Sequence, residues 1–277
     1  MRGVPAADFG AAHLTLPVTA GQARGLTAHA RRVPSLSPQW AERDEAERAS
    51  LADRVLFRDG LILVIDKPAG IAVHRGPSGG ANLEAQFDAL RFGLPRPPAL
   101  AHRLDRDTSG VLVLGRHPKA LRRLGALFAS GQVEKVYWAV VEGVPADPAG
   151  RIETGLKKLT RRDGWRMIAD PEGQRAVTEW RVRASAGGRS WLELRPRTGR
   201  THQIRVHCAL LGCPVAGDRA YGGTAGGPLL LHARRIALPL YPARPPITVT
   251  APVPAHMLAA LAGLGYDPAL EDRGEST

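Results

Sequence analysis

The chain has 277 residues, a formal net charge of +12 at pH 7 and 44% hydrophobic residues. This composition excludes a mainly disordered chain and a collagen-like repeat, and two cysteines are too few for a disulfide scaffold. The sequence has no run of about 18 apolar residues and no charged leader followed by an apolar stretch. We therefore expect no membrane span and no secretory signal, and we expect Cys208 and Cys213 to be reduced thiols.

The basic excess is almost entirely arginine, since only five of the 38 basic residues are lysines. A GC-rich genome favours arginine codons and accounts for much of that bias, but it does not account for the net charge. A positive field of this size favours a polyanionic partner, of which nucleic acid is the commonest. Guanidinium groups also stack on bases and bind phosphates with two donors. The charge therefore predicts nucleic-acid binding.

Turn residues and hydrophobic spacing predict the elements of the first half. Residues 1–52 form a polar N-terminal extension of unknown role, with a charged helix predicted over Gln39–Leu51. The chain then predicts a β-hairpin over 55–57 and 61–65, a short helix over 83–91, a buried strand over 111–114, and a helix over 118–130 that begins with Pro118 and ends at Gly131.

The second half is rich in predicted strands. They are expected over 133–142, 152–158, 165–168, 175–184, 190–195, 229–238 and 247–249, with helices over 201–211 and 255–264. Residues 266–277 form a polar tail. The pattern predicts an α+β fold, with a mixed, mostly antiparallel sheet and a few flanking helices, over a single domain of residues 53–265. We find no internal repeat.

Asp105 lies in a polar turn between Arg103 and Arg106, just before a predicted buried strand. Nearby cations favour the ionised form of a carboxylate, and an ionised aspartate is a competent nucleophile toward carbon. On these residues alone, an aspartate that caps a turn between two solvated arginines is the favoured interpretation.

A second stretch, over 194–207, places Arg195, Arg197 and Arg200 around a predicted junction between a strand and a helix. Thr201 is the expected N-cap of that helix. Because a helix N-terminus adds a positive dipole end, such a junction suits an anion. The alternative is a surface cluster of solvated arginines.

These two stretches resemble the motifs of the RluA-type RNA pseudouridine synthases. HRLDRDTSG resembles the HRLDxxTSG motif of that family, and RPRTGRTHQIRVH resembles its RTGRTHQIR segment. Weaker matches follow in family order: DKPAG at 66–70 with Val73 and His74, KVYWAV at 135–140, GDRAYG at 217–222 and LHA at 231–233. The resemblance covers about residues 55 to 250.

The resemblance implies a catalytic domain with the pseudouridine synthase fold that isomerises uridine in RNA to pseudouridine. Asp105 would be the catalytic aspartate, Tyr137 the active-site tyrosine and Arg205 the arginine that pairs with the carboxylate. Arg103 would enter the RNA stack where the target base has flipped out. Arg195, Arg197 and Arg200 would bind RNA. Asp107 falls on a variable position of the motif.

No cofactor is expected, because the reaction is redox-neutral and the chain has neither a P-loop nor a GxGxxG after a strand. The histidines and cysteines have no zinc spacing, so we expect no metal. We expect His102 and His202 to make structural hydrogen bonds. The chain resembles members without an N-terminal S4-type RNA-binding domain. We therefore expect a cytoplasmic enzyme whose partner is rRNA or tRNA, with no membrane contact and no obligatory protein partner.

Two other hypotheses remain. An RNA-binding protein of this fold that has lost catalysis would keep the charge, although it would not need Asp105, Tyr137 and Arg205 together. A retaining glycoside hydrolase would use Asp105 as its nucleophile, but it needs a second carboxylate about 5–5.5 Å away, and Asp107 is too close in sequence for an easy assignment.

Overall fold

The computed structural model describes residues 13–14 and 51–269, apart from 77–78, 162–163 and 225. The helix predicted over Gln39–Leu51 lies outside these residues except for Leu51, and so does the polar tail from residue 270 onward. The strands are β1 (His13–Leu14), β2 (Val55–Arg58), β3 (Ile62–Lys67), β4 (Ala99–Leu100), β5 (Ser109–Gly115), β6 (Glu134–Glu142), β7 (Ala149–Arg161), β8 (Gly164–Ala169), β9 (Gln174–Ala186), β10 (Arg189–Pro196), β11 (Leu231–Leu238) and β12 (Ile247–Thr250).

Three α-helices accompany these strands in the described part of the chain: α1 (Pro118–Ala129), α2 (Gln203–Leu210) and α3 (Ala255–Ala262). Two 3₁₀ helices cover Leu51–Arg54 and Glu84–Leu90. The segment predicted as a short helix over 83–91 is thus a 3₁₀ helix. The other predicted helices and strands are present with shifted ends, and β7 extends furthest beyond prediction.

One twelve-stranded sheet holds all the described strands together. Its order is β1-β7-β9-β10-β6-β11-β5-β3-β2, with β8 on β7, β4 on β5 and β12 on β11. Only the β1–β7 and β5–β11 pairs are parallel among the described strands. The predicted α+β fold with a mixed, mostly antiparallel sheet is confirmed.

Both faces of the sheet are covered by helices, and side chains alternate between the two faces along each strand. On one face, β6 and β10 pack against α2, and β5 packs against the 3₁₀ helix Glu84–Leu90. On the opposite face, α1 and α3 cover the sheet. Tyr137 on β6 packs against both clusters of the first face. It therefore marks the seam of that face, and the candidate site lies there.

Candidate active site

Two loops meet at this seam. The Asp105 loop (residues 101–108) enters β5, and the arginine loop (residues 197–202) joins β10 to α2. Between them lies a cavity of about 450 Å³, lined by His102, Arg103, Asp105, Lys135, Tyr137, Arg197, Arg200, His202 and Arg205 among others. Six of the seven predicted site residues thus line one cavity, although they come from three separate parts of the sequence.

The Asp105 loop is anchored from below by Lys67, a fully buried lysine at the end of β3. Its Nζ donates hydrogen bonds to the carbonyl oxygens of Pro68 (2.7 Å) and Arg106 (2.9 Å). Burial lowers the pKa of Lys67 to about 7, although the negative charges of Asp107, Asp105 and Asp66 raise it in part. Lys67 was not among the predicted site residues. The bonds to two carbonyls show that it shapes the turn that carries Asp105.

Arg205 connects two carboxylates. Its Nη1 lies 3.6 Å from Oδ2 of Asp105, in agreement with the expected pair. Its closer partner is the fully buried Asp218, which accepts from Nε at 2.6 Å and from Nη2 at 2.8 Å. Burial lowers the pKa of Arg205, but the hydrogen bonds and charge of Asp218 and the charge of Asp105 outweigh it and raise that pKa. Asp218 was not among the predicted site residues, although it lies in the motif GDRAYG at 217–222.

Tyr137 lies between the two clusters, with only part of its surface exposed. Burial, and then the charge of Asp105, raises the pKa of its hydroxyl well above the usual range. The phenol therefore keeps its proton at neutral pH. An aromatic ring with a proton-donating hydroxyl beside a carboxylate suits a planar, polar ligand.

The arginine loop is held by Gln203, the first residue of α2. Its Oε1 accepts from the backbone N–H of Arg200 (3.0 Å) and from the hydroxyl of Thr198 (2.6 Å), and its Nε2 donates to Val177 O and Thr178 Oγ1 at 2.9 Å each. Thr201 is not the N-cap. His202 occupies that position in the left-handed conformation, with φ 52° and no side-chain capping bond.

Arg195 is the one predicted site residue that does not line the cavity. Because side chains alternate along β10, Arg195 and Glu193 point to the sheet face away from α2 and the cavity. Arg195 Nη2 donates to Glu193 Oε1 at 2.8 Å. Arg195 does not line the cavity, and its role in RNA binding stays a prediction.

The two histidines make the structural hydrogen bonds expected of them. His102 Nε2 accepts from the backbone N–H of Val113 at 3.0 Å. Burial and the charge of Lys135 lower the pKa of His102 to about 3, so its ring is neutral. His202 Nδ1 is 2.8 Å from the hydroxyl oxygen of Tyr221. No group of three or more His, Cys, Asp or Glu in the described ranges is arranged to hold a metal ion.

Comparison with known proteins decides the family. A family model described as RNA pseudouridylate synthase matches residues 61–210, more than half of the chain. This chain belongs to the RNA pseudouridylate synthase family. It is therefore an isomerase that acts on RNA, as its motifs predicted. Among the helices of the described part, none is long and apolar enough to cross a membrane.

Individual relatives cover most of the same region. An uncharacterized RNA pseudouridine synthase of Zymomonas mobilis is 47% identical over 209 residues, which is 74% of this chain and 95% of that protein. The ribosomal large subunit pseudouridine synthase D of Xylella fastidiosa is 39% identical, over 78% of this chain and 70% of the relative. The structure of human RNA Pseudouridylate Synthase Domain Containing 4 aligns with a TM-score of 0.67 and 26% identity, over 82% of this chain and 98% of that one.

Proposed function

We propose that this enzyme converts specific uridines in structured rRNA or tRNA to pseudouridine, with Asp105 as the catalytic aspartate. The observation that carries the proposal is the position of Asp105: its side chain is 19% exposed, lines the cavity and lies 3.6 Å from Arg205. Relatives named for the ribosomal large subunit, from Xylella fastidiosa and Borreliella burgdorferi, favour rRNA as the first substrate to test.

In the proposed reaction the N-glycosidic bond from C1′ to N1 breaks, the uracil turns, and C5 bonds to C1′. The proton on C5 leaves and N1 regains a proton, so no redox partner or transferred group is needed. Asp105 starts the sequence by attacking the sugar, by attacking the base, or by removing the 2′ proton. Arg205 keeps the carboxylate oriented, because it is itself held by two hydrogen bonds to Asp218.

Tyr137 serves as the surface on which the target base lies. Its ring lines the cavity and packs against both clusters of the sheet face, so it has little room to move. Since its hydroxyl stays protonated, it acts as a hydrogen-bond donor toward the base or assists proton movement at C5.

The base has to leave the RNA stack to reach this cavity, and enzymes that act on a base inside structured nucleic acid extrude it. Arg103 is exposed, lines the cavity and lies two residues before Asp105. In this proposal, its planar guanidinium fills the gap in the RNA stack that the extruded base leaves. Arg197 and Arg200, also exposed on the cavity wall, bind the flanking phosphates.

The catalytic unit in this proposal is residues 53–265, with 1–52 as an extension and 266–277 as a tail. No cofactor and no obligatory protein partner take part. The reaction takes place in the cytoplasm, where rRNA and tRNA are found.

Tritium release from RNA labelled at C5 of uridine tests the reaction, because forming pseudouridine expels the C5 hydrogen. The RNA comes from a strain that lacks this gene, so that its sites are unmodified. We expect wild type to release tritium and Asp105→Asn to release none while still binding RNA. Asp107→Asn is the matched control, since its carboxylate is half-exposed and faces Arg106 at 3.7 Å; it should keep its rate.

Other outcomes separate the alternatives. Release by Asp105→Asn at the wild-type rate would refute the assigned role of Asp105. RNA binding without tritium release by any variant would favour a binding protein that has lost catalysis.

A further inference from the structure

An exposed tryptophan stands at the rim of the cavity. The hairpin of β7 and β8 carries Trp165, which is 47% exposed although it is the largest type of apolar side chain. Its ring stacks on the ring of His202, with centroids 5.1 Å apart and planes 21° from parallel. His202 lines the cavity and Trp165 does not. Trp165 therefore lies outside the cavity wall, on the outer side of the His202 ring.

The imidazole of His202, on which Trp165 stacks, is held in place by Tyr221. The hydroxyl of Tyr221 accepts from the backbone N–H of Met167 at 3.0 Å, so its own proton is free to bond to Nδ1 of His202 at 2.8 Å. The remaining proton of a neutral His202 is then on Nε2, which lies 3.8 Å from Oδ2 of Asp105. Burial lowers the pKa of His202, and the charges of Arg205 and Arg103 lower it further. The charges of Asp105 and Asp218 act in the opposite direction but do not outweigh burial, so the ring stays neutral.

These contacts link the hairpin to the catalytic carboxylate through two aromatic side chains. Met167 belongs to β8, as Trp165 does, and packs near Tyr221 in a small buried cluster. The position of the Trp165 ring relative to Asp105 is therefore set by side-chain contacts on both sides of His202, rather than by the hairpin backbone alone.

The surroundings of Trp165 are suited to RNA rather than to another apolar surface. The ammonium of Lys158 lies 4.8 Å from the centre of the Trp165 ring. Lys158 pairs with Met167 across the hairpin, so it lies on the same face of the hairpin as Trp165. An exposed aromatic ring with a cation over it, next to a positively charged groove, is typical of proteins that bind single-stranded nucleic acid by base stacking. A protein partner would need a larger apolar patch than a single ring.

We propose that Trp165 is a stacking platform for the unpaired RNA base next to the extruded uridine. The inference rests on the proposed function, because it takes the cavity to hold that uridine. Its consequence is that the enzyme selects uridines whose neighbour is also unstacked, as in loops and bulges. The base edge is not recognised by a ring face, so the platform selects RNA conformation and not sequence.

Kinetics of tritium release from C5-labelled RNA test this role in the full chain. We expect Trp165→Ala to raise the KM for RNA about tenfold with kcat within about twofold, because a stacked base contributes to binding and not to the chemistry. Trp165→Phe should stay within about threefold of wild type, because phenylalanine keeps a ring face. Trp165→Leu, which keeps apolar bulk without a π-face, should behave like the alanine variant.

Phe92 provides the matched control. It is also an exposed aromatic, at 37%, and also has a cation over its ring, with Arg58 Cζ 4.2 Å from the centroid, but it does not line the cavity. Phe92→Ala should leave KM unchanged. An equal KM for Trp165→Ala, Phe92→Ala and wild type would overturn the proposal. So would a fall in kcat without a change in KM, since that would make Trp165 only a support for His202.

Direct binding separates this inference from the proposed function. Among the described residues, Trp138, Trp180 and Trp191 are buried and Trp165 is exposed, while Trp40 lies outside them. With Trp40 replaced by phenylalanine in every protein compared, quenching by a uridine-rich single-stranded RNA of about 15 nucleotides should fall sharply in Trp165→Phe. The slope of log affinity against log salt should be the same as in wild type, because no charge is removed. Quenching without tritium release would reject the proposed function and leave the platform standing. Tritium release with the same quenching in wild type and Trp165→Phe would reject the platform alone.

Discussion

Asp218 shows how much of the geometry of Arg205 comes from a residue outside the cavity. It is fully buried, accepts two hydrogen bonds from Arg205 and a third from the backbone N–H of Ala220 at 3.1 Å. The Arg205–Asp105 contact at 3.6 Å is longer. Asp218 therefore determines the plane of the guanidinium, and Asp105 meets a group that is already oriented.

Replacing Asp218 with asparagine tests this arrangement. We expect Asp218→Asn to lower kcat about 10- to 100-fold, because the loss of one charged hydrogen-bond partner leaves Arg205 free to close on Asp105. KM for RNA should change little, since Asp218 does not touch the cavity. Single-turnover kinetics with saturating enzyme measure the effect on the chemical step. A variant that loses affinity and keeps its rate would contradict a positioning role.

At the scale of the elements, Gly110 allows the first residues of β5 to lie against β11. Its φ is +106°, and a Cβ at this position would overlap the carbonyl oxygen of Ala233. The same contact brings Ser109 Oγ to 2.9 Å from Nδ1 of the buried His232. The strand that follows the Asp105 loop is thus packed backbone to backbone against its neighbour.

Two glycine substitutions separate this effect from general glycine preferences. Gly110→Ala should lower the free energy of unfolding by about 3 kcal/mol or more, because it combines a strained φ with an overlap. Gly125→Ala, in α1 with no atom within 4 Å of the new Cβ, should raise it by about 0.5–1 kcal/mol. Urea denaturation measures both. Equal effects of the two substitutions would show that the contact with Ala233 is not tight.

The elements also show what the sequence could predict. Helix α1 was predicted to within one residue because Pro118, Gly131 and a spaced leucine face mark it locally. The 13-residue strands β7 and β9 extend beyond prediction because their ends alternate weakly and are stabilised by pairing partners distant in sequence. The parallel β5–β11 pair has no local signal at all.

The candidate site was predictable only in part for the same reason. The motifs identified Asp105, Tyr137 and Arg205 through a family resemblance, and the resemblance does not include distances. The left-handed His202 and the position of Arg195 on the far face both depend on how β10 and α2 pack. Trp165 belongs to none of the motifs that resemble the family, so its position over His202 follows only from the fold.

At the scale of the whole molecule, three neutral histidines in the interior make the folded state less stable at acid pH. Burial lowers the pKa of His102 and His232 to about 3 and that of His207 to about 4, with Lys135 and Arg234 contributing at the first two. His207 has no hydrogen-bond partner for either nitrogen among the described residues. The unfolded chain binds these protons near pH 6.5, so stability falls as pH decreases from about 6.5 toward 4.

Urea unfolding at pH 7 and pH 5 should reveal this loss. We expect the free energy of unfolding to be lower at pH 5 by on the order of 3 kcal/mol. Asp66 opposes the trend, because burial raises its pKa to about 6 and its contribution is lost as pH rises through that value. His207→Met, which keeps the volume without the titrating group, should reduce the pH dependence. A free energy of unfolding that is equal at both pH values would contradict the neutral burial of these rings.

The parallel β5–β11 pair also affects when the candidate site forms during folding. Ser109 and His232, which touch across this pair, are 123 residues apart along the chain. Contacts that close so large a loop form late in folding, because their entropy cost precedes their stabilisation. During synthesis the aspartate therefore leaves the ribosome long before the strand that supports it. A nascent chain that ends before Leu231 therefore contains Asp105 without β11, the strand against which β5 packs.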